Sequence, residues 1–322
     1  MPLTPRTLGR TGIPVSPIGL GTTEIGYLYG LGERTLPTES EAIEFLNYLV
    51  DIGVTFIDTA HSYGLAEERI AKSGIAKRPG VTISTKCGLI LDKGFEGNVK
   101  ELEKELTDEV EQSLRTLEID CITLLQFHGA SVEIIKSGAL ESMAQKWKEA
   151  GKVKFVGVSV RGEDTPLAVI ESGFFDTIQL AYSILDERME KQVLPKAQEH
   201  NIGIINRSVL LKGALTPASI HLVEGLASLK QNSDKAAKIA EGLGTDLPSL
   251  AIRFVLSNEA VSTVIVGTNK SKHIENAVKA AQAGPLPEDV LVELRKLAID
   301  DPMQIDPSKW KHWNQPRDGK SA

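Results

Sequence analysis

The sequence predicts an α/β fold, a (β/α)8 TIM barrel, from two observations about its pattern. Short β-branched or apolar runs recur along the chain, and longer segments with helical spacing separate them. Strict alternation of the two favours parallel strands joined by right-handed crossovers. The runs that qualify as strands are eight in number, as a barrel of this type requires: residues 18–21, 55–58, 82–86, 121–128, 154–159, 177–180, 203–207 and 263–267.

The segments between the runs have the spacing of amphipathic helices, as in residues 39–52, 65–77, 99–117 and 140–150. A doubly wound sheet is the alternative that this alternation leaves open. In such a sheet a G-x-G-x-x-G turn leads from the first strand into a helix and binds a dinucleotide. The first strand here continues as GTTEIG over residues 21–26. The sequence therefore favours the barrel, and any dinucleotide has to bind in another way.

A single domain is predicted for residues 1–322, because no linker, low-complexity tract or repeat beyond the βα rhythm divides the chain. Residues 8–16 place turn formers between short apolar runs, which predicts an N-terminal hairpin that closes the barrel bottom. Residues 301–322 are polar but contain Trp310 and Trp313, so they form either a frayed tail or a flap folded against the barrel.

Composition narrows the class of protein further. The net charge of -7 and the pI near 5.5 argue against nucleic acid or an anionic membrane as a partner, since both require a basic surface. Two cysteines, Cys87 and Cys121, are too few for a disulfide framework. No run approaches the roughly 18 apolar residues of a membrane span. We therefore expect a reduced, cytoplasmic protein whose partner is a small molecule.

Ionisable residues end three consecutive predicted strands, namely Asp58, Lys86 and His128, and Tyr63 follows on the loop after Asp58. Any one of them alone is explained as readily by capping or rim packing as by catalysis. Together they would converge, because all strands of a parallel barrel end at the same mouth. A buried lysine needs a partner, which Asp58 can provide. Its ammonium would stabilise the phenolate of Tyr63, a proton donor for carbonyl reduction, and His128 could hydrogen-bond the same substrate oxygen.

The segments around these residues resemble those of the aldo-keto reductases in order and spacing: DTAHSYG at 58–64 with Glu67, STK at 84–86, LLQFH at 124–128 and GLGT at 19–22. The resemblance spans about residues 6–298 and includes the four positions of the catalytic tetrad, Asp58, Tyr63, Lys86 and His128. It implies an NAD(P)(H)-dependent oxidoreductase that interconverts an aldehyde, ketone or sugar carbonyl with the alcohol, with Tyr63 as the proton donor or acceptor.

The same resemblance implies where the cofactor binds, beginning with Gly21 and Thr22 after the first strand. Ser159 and Gln179 would hold the nicotinamide carboxamide, although Val160 replaces an amide side chain of the family. Arg207 stands where an aromatic ring often stacks on the nicotinamide, and a planar guanidinium can stack too. The following residues would contact the pyrophosphate, and the loop after the last strand would bind the adenosine end: Ser208, Leu210 and Lys212, then Gly267, Thr268, Lys270, His273 and Asn276.

The last loop also predicts which cofactor is preferred. Ser271 is a plausible N-cap for the next helix, whose free N–H groups make a natural phosphate site. Lys270 and Lys272 flank it, and Arg207 and Lys212 add positive charge nearby, which favours NADPH over NADH. Against this, His273 stands where many relatives place a permanently charged arginine.

Three rivals to a reductase remain open. The first is a barrel lyase in which Lys86 forms a Schiff base, which requires Lys86 to be free rather than paired. The second is a metal-dependent hydrolase that uses Asp58, His61 and His128, although no His-x-His or His-Glu-x-x-His spacing occurs and no metal is expected. The third is a nicotinamide-binding regulatory subunit. The sequence does not name the substrate, the direction of flux or the oligomeric state.

Overall fold

The protein is described as a computed structural model that covers residues 3–30, 34–93, 95 and 97–310. A small antiparallel hairpin, β1 (Arg6–Thr7) and β2 (Pro14–Val15), precedes eight parallel strands. The eight strands close into a barrel in which each pairs with its neighbours in chain order and β10 pairs with β3: β3 (Ile18–Gly21), β4 (Phe56–Asp58), β5 (Thr82–Cys87), β6 (Ile122–Phe127), β7 (Val153–Ser159), β8 (Thr177–Ala181), β9 (Gly203–Arg207) and β10 (Val261–Gly267).

Helices surround the barrel and follow the strands along the chain: α1 (Thr23–Gly26), α2 (Glu39–Asp51), α3 (Ala66–Ser73), α4 (Leu89–Lys93), α5 (Val99–Leu117), α6 (Val132–Lys136), α7 (Ala139–Glu149), α8 (Asp164–Ser172), α9 (Val193–Glu199), α10 (Ala227–Gly242), α11 (Leu247–Leu256), α12 (Ser271–Gln282), α13 (Glu288–Arg295) and α14 (Pro302–Ile305). Short 3-10 turns occupy Gly9–Thr11, Ile75–Lys77, Leu211–Gly213, Pro217–His221, Glu224–Leu226 and Pro307–Lys309.

The predicted barrel is confirmed, and each of the eight predicted runs overlaps one barrel strand. One predicted helix differs from the observed element. The pattern over residues 65–77 breaks at Gly74, which adopts a left-handed φ of 75° and ends α3 before a separate 3-10 turn. A glycine adopts this conformation without steric cost, so the helix ends there although the apolar spacing continues to Ile75.

The N-terminal hairpin closes the bottom of the barrel, as predicted. Leu8 and Val15 are fully buried in a cluster with apolar side chains from the barrel interior, Phe56, Leu124, Ile205 and Ile265. Gly203 at the start of β9 makes this plug possible, since a Cβ atom there would lie 2.8 Å from the side chain of Leu8. The cluster fills the end of the barrel opposite the one where the strands terminate.

Strand register brings the carboxyl ends of the first strands to one rim. Gly21 of β3 lies between Gly267 of β10 and Asp58 of β4, and Asp58 pairs onward with Ser84 of β5. The loops that leave this rim are tied to neighbouring strands: the N–H of His61, after β4, donates to the carbonyl of Lys86 in β5 at 3.0 Å, and the N–H of His128, after β6, donates to the carbonyl of Cys87 in β5 at 2.8 Å. The predicted site residues therefore share one mouth.

The C-terminal segment folds against the barrel as far as residue 310, which supports the flap rather than the frayed tail. Trp310 is buried, and its indole N–H donates to the carbonyl of Gln304 at 3.0 Å. Asp306 pairs with Arg161 at the rim at 3.4 Å. Trp313 lies outside the described residues. Within the described part of the chain no helix is long and apolar enough to cross a membrane, and Cys87 and Cys121 are both free thiols.

A carboxyl pair beneath the loop after β8 generates a prediction about stability. Burial and the neighbouring carboxylate of Glu190 raise the pKa of Glu187 to about 8, against the opposing charge of Arg295. An unfolded glutamate titrates near about 4.3, so the folded protein binds the extra proton between these two values. The free energy of unfolding should therefore fall as pH rises from about 4.3 towards 8.

Thermal unfolding of Glu187→Gln should lose part of this pH dependence, and its melting temperature should exceed that of the wild type by a few degrees at pH 9. Glu105→Gln, on the exposed face of α5, is the matched control. Identical melting profiles of wild type and Glu187→Gln from pH 5 to 9 would contradict the raised pKa of Glu187.

Candidate active site

A cavity of about 680 Å³ opens at the carboxyl ends of the strands and runs from the loop after β4 to the loop after β10. Three of the four predicted tetrad residues line it, Asp58, Tyr63 and His128. The fourth, Lys86, lies beneath them and is only 1% exposed. The structure thus brings together Asp58 and Lys86 from two strands with Tyr63 and His128 from the segments that follow β4 and β6, as the sequence predicts.

Asp58 and Lys86 form an ion pair inside the barrel. The Lys86 ammonium lies 2.6 Å from Oδ2 of Asp58 and donates a second hydrogen bond to the carbonyl of Thr59 at 2.8 Å. Burial alone would lower the pKa of Lys86, but its interactions with Asp58 and Tyr63 overcome that effect and raise the pKa. Lys86 is consequently a fixed cation at the base of the cavity.

Tyr63 is held directly above this cation. The Lys86 Nζ atom lies 4.9 Å from the centroid of the Tyr63 ring. The loop that carries Tyr63 packs tightly on α1, since a Cβ atom on Gly26 would lie 1.9 Å from the Tyr63 carbonyl oxygen. Only glycine fits at this close approach, so Gly26 sets the position of the tyrosine loop.

His128 completes the group as a neutral side chain. Its ring lies edge to face against Tyr63, with 5.5 Å between ring centroids. Burial, followed by the positive charges of Lys86, Arg207 and Arg161, lowers the pKa of His128 to about 3. The imidazole is therefore uncharged at neutral pH and can donate one hydrogen bond without adding a charge. Ser62 lies within 3.4 Å of its Nδ1 atom.

Two glutamines hold the other oxygen of Asp58, and the sequence pattern predicted only one of them as a site residue. Oδ1 of Asp58 accepts a hydrogen bond from Nε2 of Gln179 at 2.8 Å and from Nε2 of Gln126 at 3.1 Å. Gln126 was overlooked as part of the LLQFH motif. The sequence feature that could have identified Gln126 is its position in β6. It shares the inward face with Leu124 and His128, where a buried polar side chain needs a partner.

The predicted carboxamide site is also assembled. Ser159 and Gln179 both line the cavity, and the Ser159 hydroxyl donates to Oε1 of Gln179 at 3.3 Å. Val160 is buried and turns its side chain into the core. The guanidinium of Arg207 donates to the backbone carbonyl of Val160 at 2.8 Å and lines the cavity, at the position predicted to stack on the nicotinamide.

The loop after β9 curves around the cavity with an unusual backbone. Ser208, Leu211 and Lys212 have positive φ values of 62°, 44° and 54°. Such conformations cost energy for residues other than glycine and are typical of functional loops. The Lys212 ammonium lies 5.3 Å from the centroid of the Tyr29 ring, so this loop meets the loop after β3 across the cavity.

The loop after β10 begins α12 without a side-chain cap. The prediction that Ser271 is the N-cap is wrong, because Ser271 already has helical conformation and Lys270 is the N-cap residue, with φ −116° and ψ 120°. Thr268 stabilises the turn instead: its hydroxyl accepts from the N–H of Lys270 at 3.1 Å and lies 2.9 Å from Nδ1 of His273. The N–H of His273 donates to the carbonyl of Lys270 at 3.0 Å, and no side chain caps the start of α12.

The two lysines predicted to flank the start of α12 lie on its surface. Lys270 is exposed, and Lys272 lies 3.5 Å from Glu275 on the helix surface. A carboxylate that the sequence reasoning did not single out, Glu24 of α1, lines the cavity here. Burial raises the pKa of Glu24, while Arg34, Lys270 and the backbone of Asn269 act to lower it. The end of the cavity next to α12, where the sequence predicts the adenosine, thus carries charges of both signs.

Most of the predicted cofactor residues line the one cavity: Gly21, Ser159, Gln179, Arg207, Ser208, Leu210, Lys212, Gly267, Thr268, His273 and Asn276. Thr22 lies behind the wall, where its hydroxyl donates to the Asp58 carbonyl at 3.0 Å. Lys270 is exposed and is not among the residues that line the cavity. Among the described residues no group of three His, Cys, Asp or Glu side chains is arranged to hold a metal ion.

Comparison with known proteins identifies the family. Residues 17–299 match the model of the aldo/keto reductase family. The L-galactose dehydrogenase of Arabidopsis thaliana is 28% identical over 92% of this chain and 90% of its own length. The NADH-specific methylglyoxal reductase of Escherichia coli is 26% identical over 85% and 92%.

A solved structure agrees with these relatives. The holo form of the aldo-keto reductase AKR11C1 from Bacillus halodurans superposes with a TM-score of 0.77 at 25% identity and covers 93% of this chain and 97% of that one. The family match covers most of the chain, and the matched fold is the closed eight-stranded barrel described above. The chain therefore belongs to the aldo/keto reductase family and is an NAD(P)-dependent oxidoreductase.

Proposed function

We propose that the protein interconverts a small aldehyde, ketone or sugar carbonyl with the corresponding alcohol, with Tyr63 as the proton donor and acceptor. The observation that carries this proposal is the buried Asp58–Lys86 pair placed under the ring of Tyr63, with His128 beside it, at one end of the cavity. A bound nicotinamide supplies or accepts the hydride at the substrate carbon.

The remaining chemistry belongs to the side chains. During reduction the Tyr63 hydroxyl gives its proton to the substrate oxygen, and the Lys86 ammonium stabilises the phenolate that is left. Asp58 fixes the position of that ammonium through its 2.6 Å contact. His128, neutral at physiological pH, donates a hydrogen bond to the same substrate oxygen and orients it. Oxidation of an alcohol uses the same groups in reverse.

The residues present fit a dinucleotide along the cavity. Ser159 and Gln179 offer a hydroxyl and an amide for the carboxamide, and Arg207 offers a planar face for the ring. Residues 208–213 curve beside Arg207, where they would contact the pyrophosphate. The start of α12, which has no side-chain cap, offers N–H donors for phosphate. Thr268, His273 and Asn276 then lie at the adenosine end.

The rival functions explain this arrangement less well. A Schiff-base lyase requires a free amine, whereas Lys86 is charged, buried and engaged by two acceptors. A metal-dependent hydrolase requires a cluster of metal ligands, and the described part of the chain contains no group of three His, Cys, Asp or Glu side chains arranged as one. A regulatory subunit does not require the four tetrad residues to be brought together. Turnover by the purified protein with NADPH or NADH and a panel of aldehydes, ketones and sugars tests the proposal directly.

The relatives suggest where the substrate screen should begin. One is named as a dehydrogenase of L-galactose and another as a reductase of methylglyoxal. The cavity here combines aromatic rings from the loop after β3, Tyr27 and Tyr29, with the polar groups of the tetrad. We therefore place short polar carbonyl compounds and aldoses first in the panel.

Replacement of Tyr63 by phenylalanine tests the proton donor. Tyr63→Phe should bind the cofactor normally but lose carbonyl reduction by a factor of roughly 10² to 10⁴, the usual contribution of general acid catalysis. Steady-state kinetics and a fluorescence titration with NADPH measure the two effects. Tyr48→Phe, which removes an exposed hydroxyl bonded to Glu275, is the matched control and should retain activity. Near-normal turnover of Tyr63→Phe would rule out the assignment.

Substitutions of the ion pair test the role of Lys86. Lys86→Met should lower kcat by about 10² or more and destabilise the fold by about 3–5 kcal/mol, because it leaves the Asp58 carboxylate buried without its cation. Asp58→Asn should have a smaller effect on kcat, since it keeps the shape and loses the charge. Kinetics and urea unfolding measure both quantities. A fully active Lys86→Met enzyme would show that the ammonium does not assist Tyr63.

For the cofactor we propose a preference for NADPH, carried by Lys270 and Arg34 at the adenosine end and opposed by Glu24. Lys270→Ala should weaken NADPH binding by about 1 to 3 kcal/mol, the range for a hydrogen bond to a charged group, and leave NADH nearly unchanged. Glu24→Gln should act in the opposite direction and strengthen NADPH binding, because it removes a negative charge near the 2′-phosphate.

Fluorescence titrations of both variants with NADPH and NADH measure these changes. Lys279→Ala, on the exposed last turn of α12, is the control and should alter neither affinity. Equal losses for both cofactors in Lys270→Ala, or a wild-type preference for NADH as in the Escherichia coli relative, would contradict the proposed preference.

A further inference from the structure

Asp58 is held on both of its oxygens. Oδ2 contacts the Lys86 ammonium at 2.6 Å, whereas Oδ1 accepts hydrogen bonds from the side-chain amides of Gln126 at 3.1 Å and Gln179 at 2.8 Å. All four side chains are buried inside the barrel. A lysine alone would leave Oδ1 without a donor in this dry environment, so the two amides complete the solvation that water would otherwise provide.

Gln126 can fill this role in only one orientation. Its Nε2 atom donates both hydrogens, one to Asp58 and one to the Ser84 hydroxyl at 2.7 Å, and its Oε1 atom is buried without a partner. Rotation of the amide by 180° would place Oε1 against the Asp58 carboxylate and leave two donors unused. Gln126 therefore leaves its acceptor oxygen without a hydrogen bond while both of its N–H groups donate to residues at the base of the site.

Gln179 links Asp58 to the opposite side of the site. Because its Nε2 faces the Asp58 carboxylate, its Oε1 must face the Ser159 hydroxyl, at 3.3 Å, and the cavity. The charge of Asp58 thus decides which end of the Gln179 amide is presented to a ligand. An oxygen presented in this way accepts a hydrogen bond, which suits the NH2 group of a carboxamide.

We propose that Gln126 and Gln179 are positioning residues for Asp58, and that Gln179 couples the nicotinamide carboxamide to the Asp58–Lys86 pair. The inference rests on the proposed function, since it takes the nicotinamide to lie beside Ser159 and Gln179. It goes beyond that function because it makes cofactor affinity depend on Asp58 through a single intervening side chain.

A double-mutant cycle on binding tests the coupling. The measured quantities are the dissociation constants of NADPH and of 2′-phospho-ADP-ribose, a fragment that lacks the nicotinamide. They are determined for wild type, Asp58→Asn, Gln179→Met and the double variant. Asp58→Asn lets the amide of Gln179 rotate, so it should weaken NADPH binding about threefold to tenfold and leave the fragment unaffected. In the Gln179→Met background, Asp58→Asn should have no further effect on NADPH binding. Equal effects of Asp58→Asn in both backgrounds, or equal losses for the fragment, would overturn the coupling.

A pH profile tests the role of Gln126. Gln126→Met removes two N–H donors beside Asp58 at the base of the site. Without them, negative charge in the site is less well stabilised, so loss of a proton from the site at high pH becomes less favourable. The alkaline limb of kcat for reduction should move up by about 0.5 to 1 pH unit, while NADPH affinity stays within about twofold. Gln126→Glu keeps the shape, adds a second carboxyl beside Asp58 and should move the limb further.

Thr177→Val is the matched control for these variants. It alters a buried hydroxyl on β8, two residues before Gln179, whose oxygen has no hydrogen-bond partner. Its pH profile and its affinities should equal those of the wild type. Profiles of Gln126→Met and Gln126→Glu that both superpose on the wild type would overturn the role of Gln126. The binding cycle needs no turnover, so an active Tyr63→Phe would defeat the proposed function and leave the coupling standing.

Discussion

The candidate site depends on one interaction, the ion pair between Asp58 and Lys86 inside the barrel. Desolvation of two charges is expensive, and their attraction repays it only when the remaining donors and acceptors are satisfied as well. Here the Thr59 carbonyl takes a second hydrogen of Lys86, and two glutamine amides take the second oxygen of Asp58. The pair is therefore one part of a buried polar network whose members come from β4, β5, β6 and β8.

A closed barrel is well suited to hold such a network. The register places Asp58 beside Ser84, and places Lys86 beside Gln126, so the polar side chains occupy adjacent strands at similar depth. The apolar cluster around Phe56 and Leu124 fills the barrel below them and keeps the network dry from that side. Burial in this dry surrounding, followed by the positive charges of Lys86, Arg207 and Arg161, accounts for the low pKa of His128.

The sequence predicted the barrel and the tetrad because both depend on local signals. Strand runs are visible in hydrophobic spacing, and Asp58, Lys86 and His128 each end such a run, so topology alone brings them to one mouth. Gln126 and Glu24 were missed because their importance lies in partners far along the chain, which spacing does not reveal. The N-cap of α12 was misplaced because Ser271 has the preferred residue type, whereas the Thr268 hydroxyl already satisfies the turn one residue earlier.

The same contrast separates the two ends of the cavity. At the end that contains Asp58 and Lys86, each of these charged groups is held through two or more contacts, so a substitution there disturbs several partners together. At the other end Glu24 and Lys270 lie on segments outside the barrel strands, and no described side chain forms an ion pair with either within 4 Å. A change of charge at these two positions leaves the network around Asp58 intact. Under the proposed function, the residues that would set cofactor preference are thus separate from those that would transfer the proton.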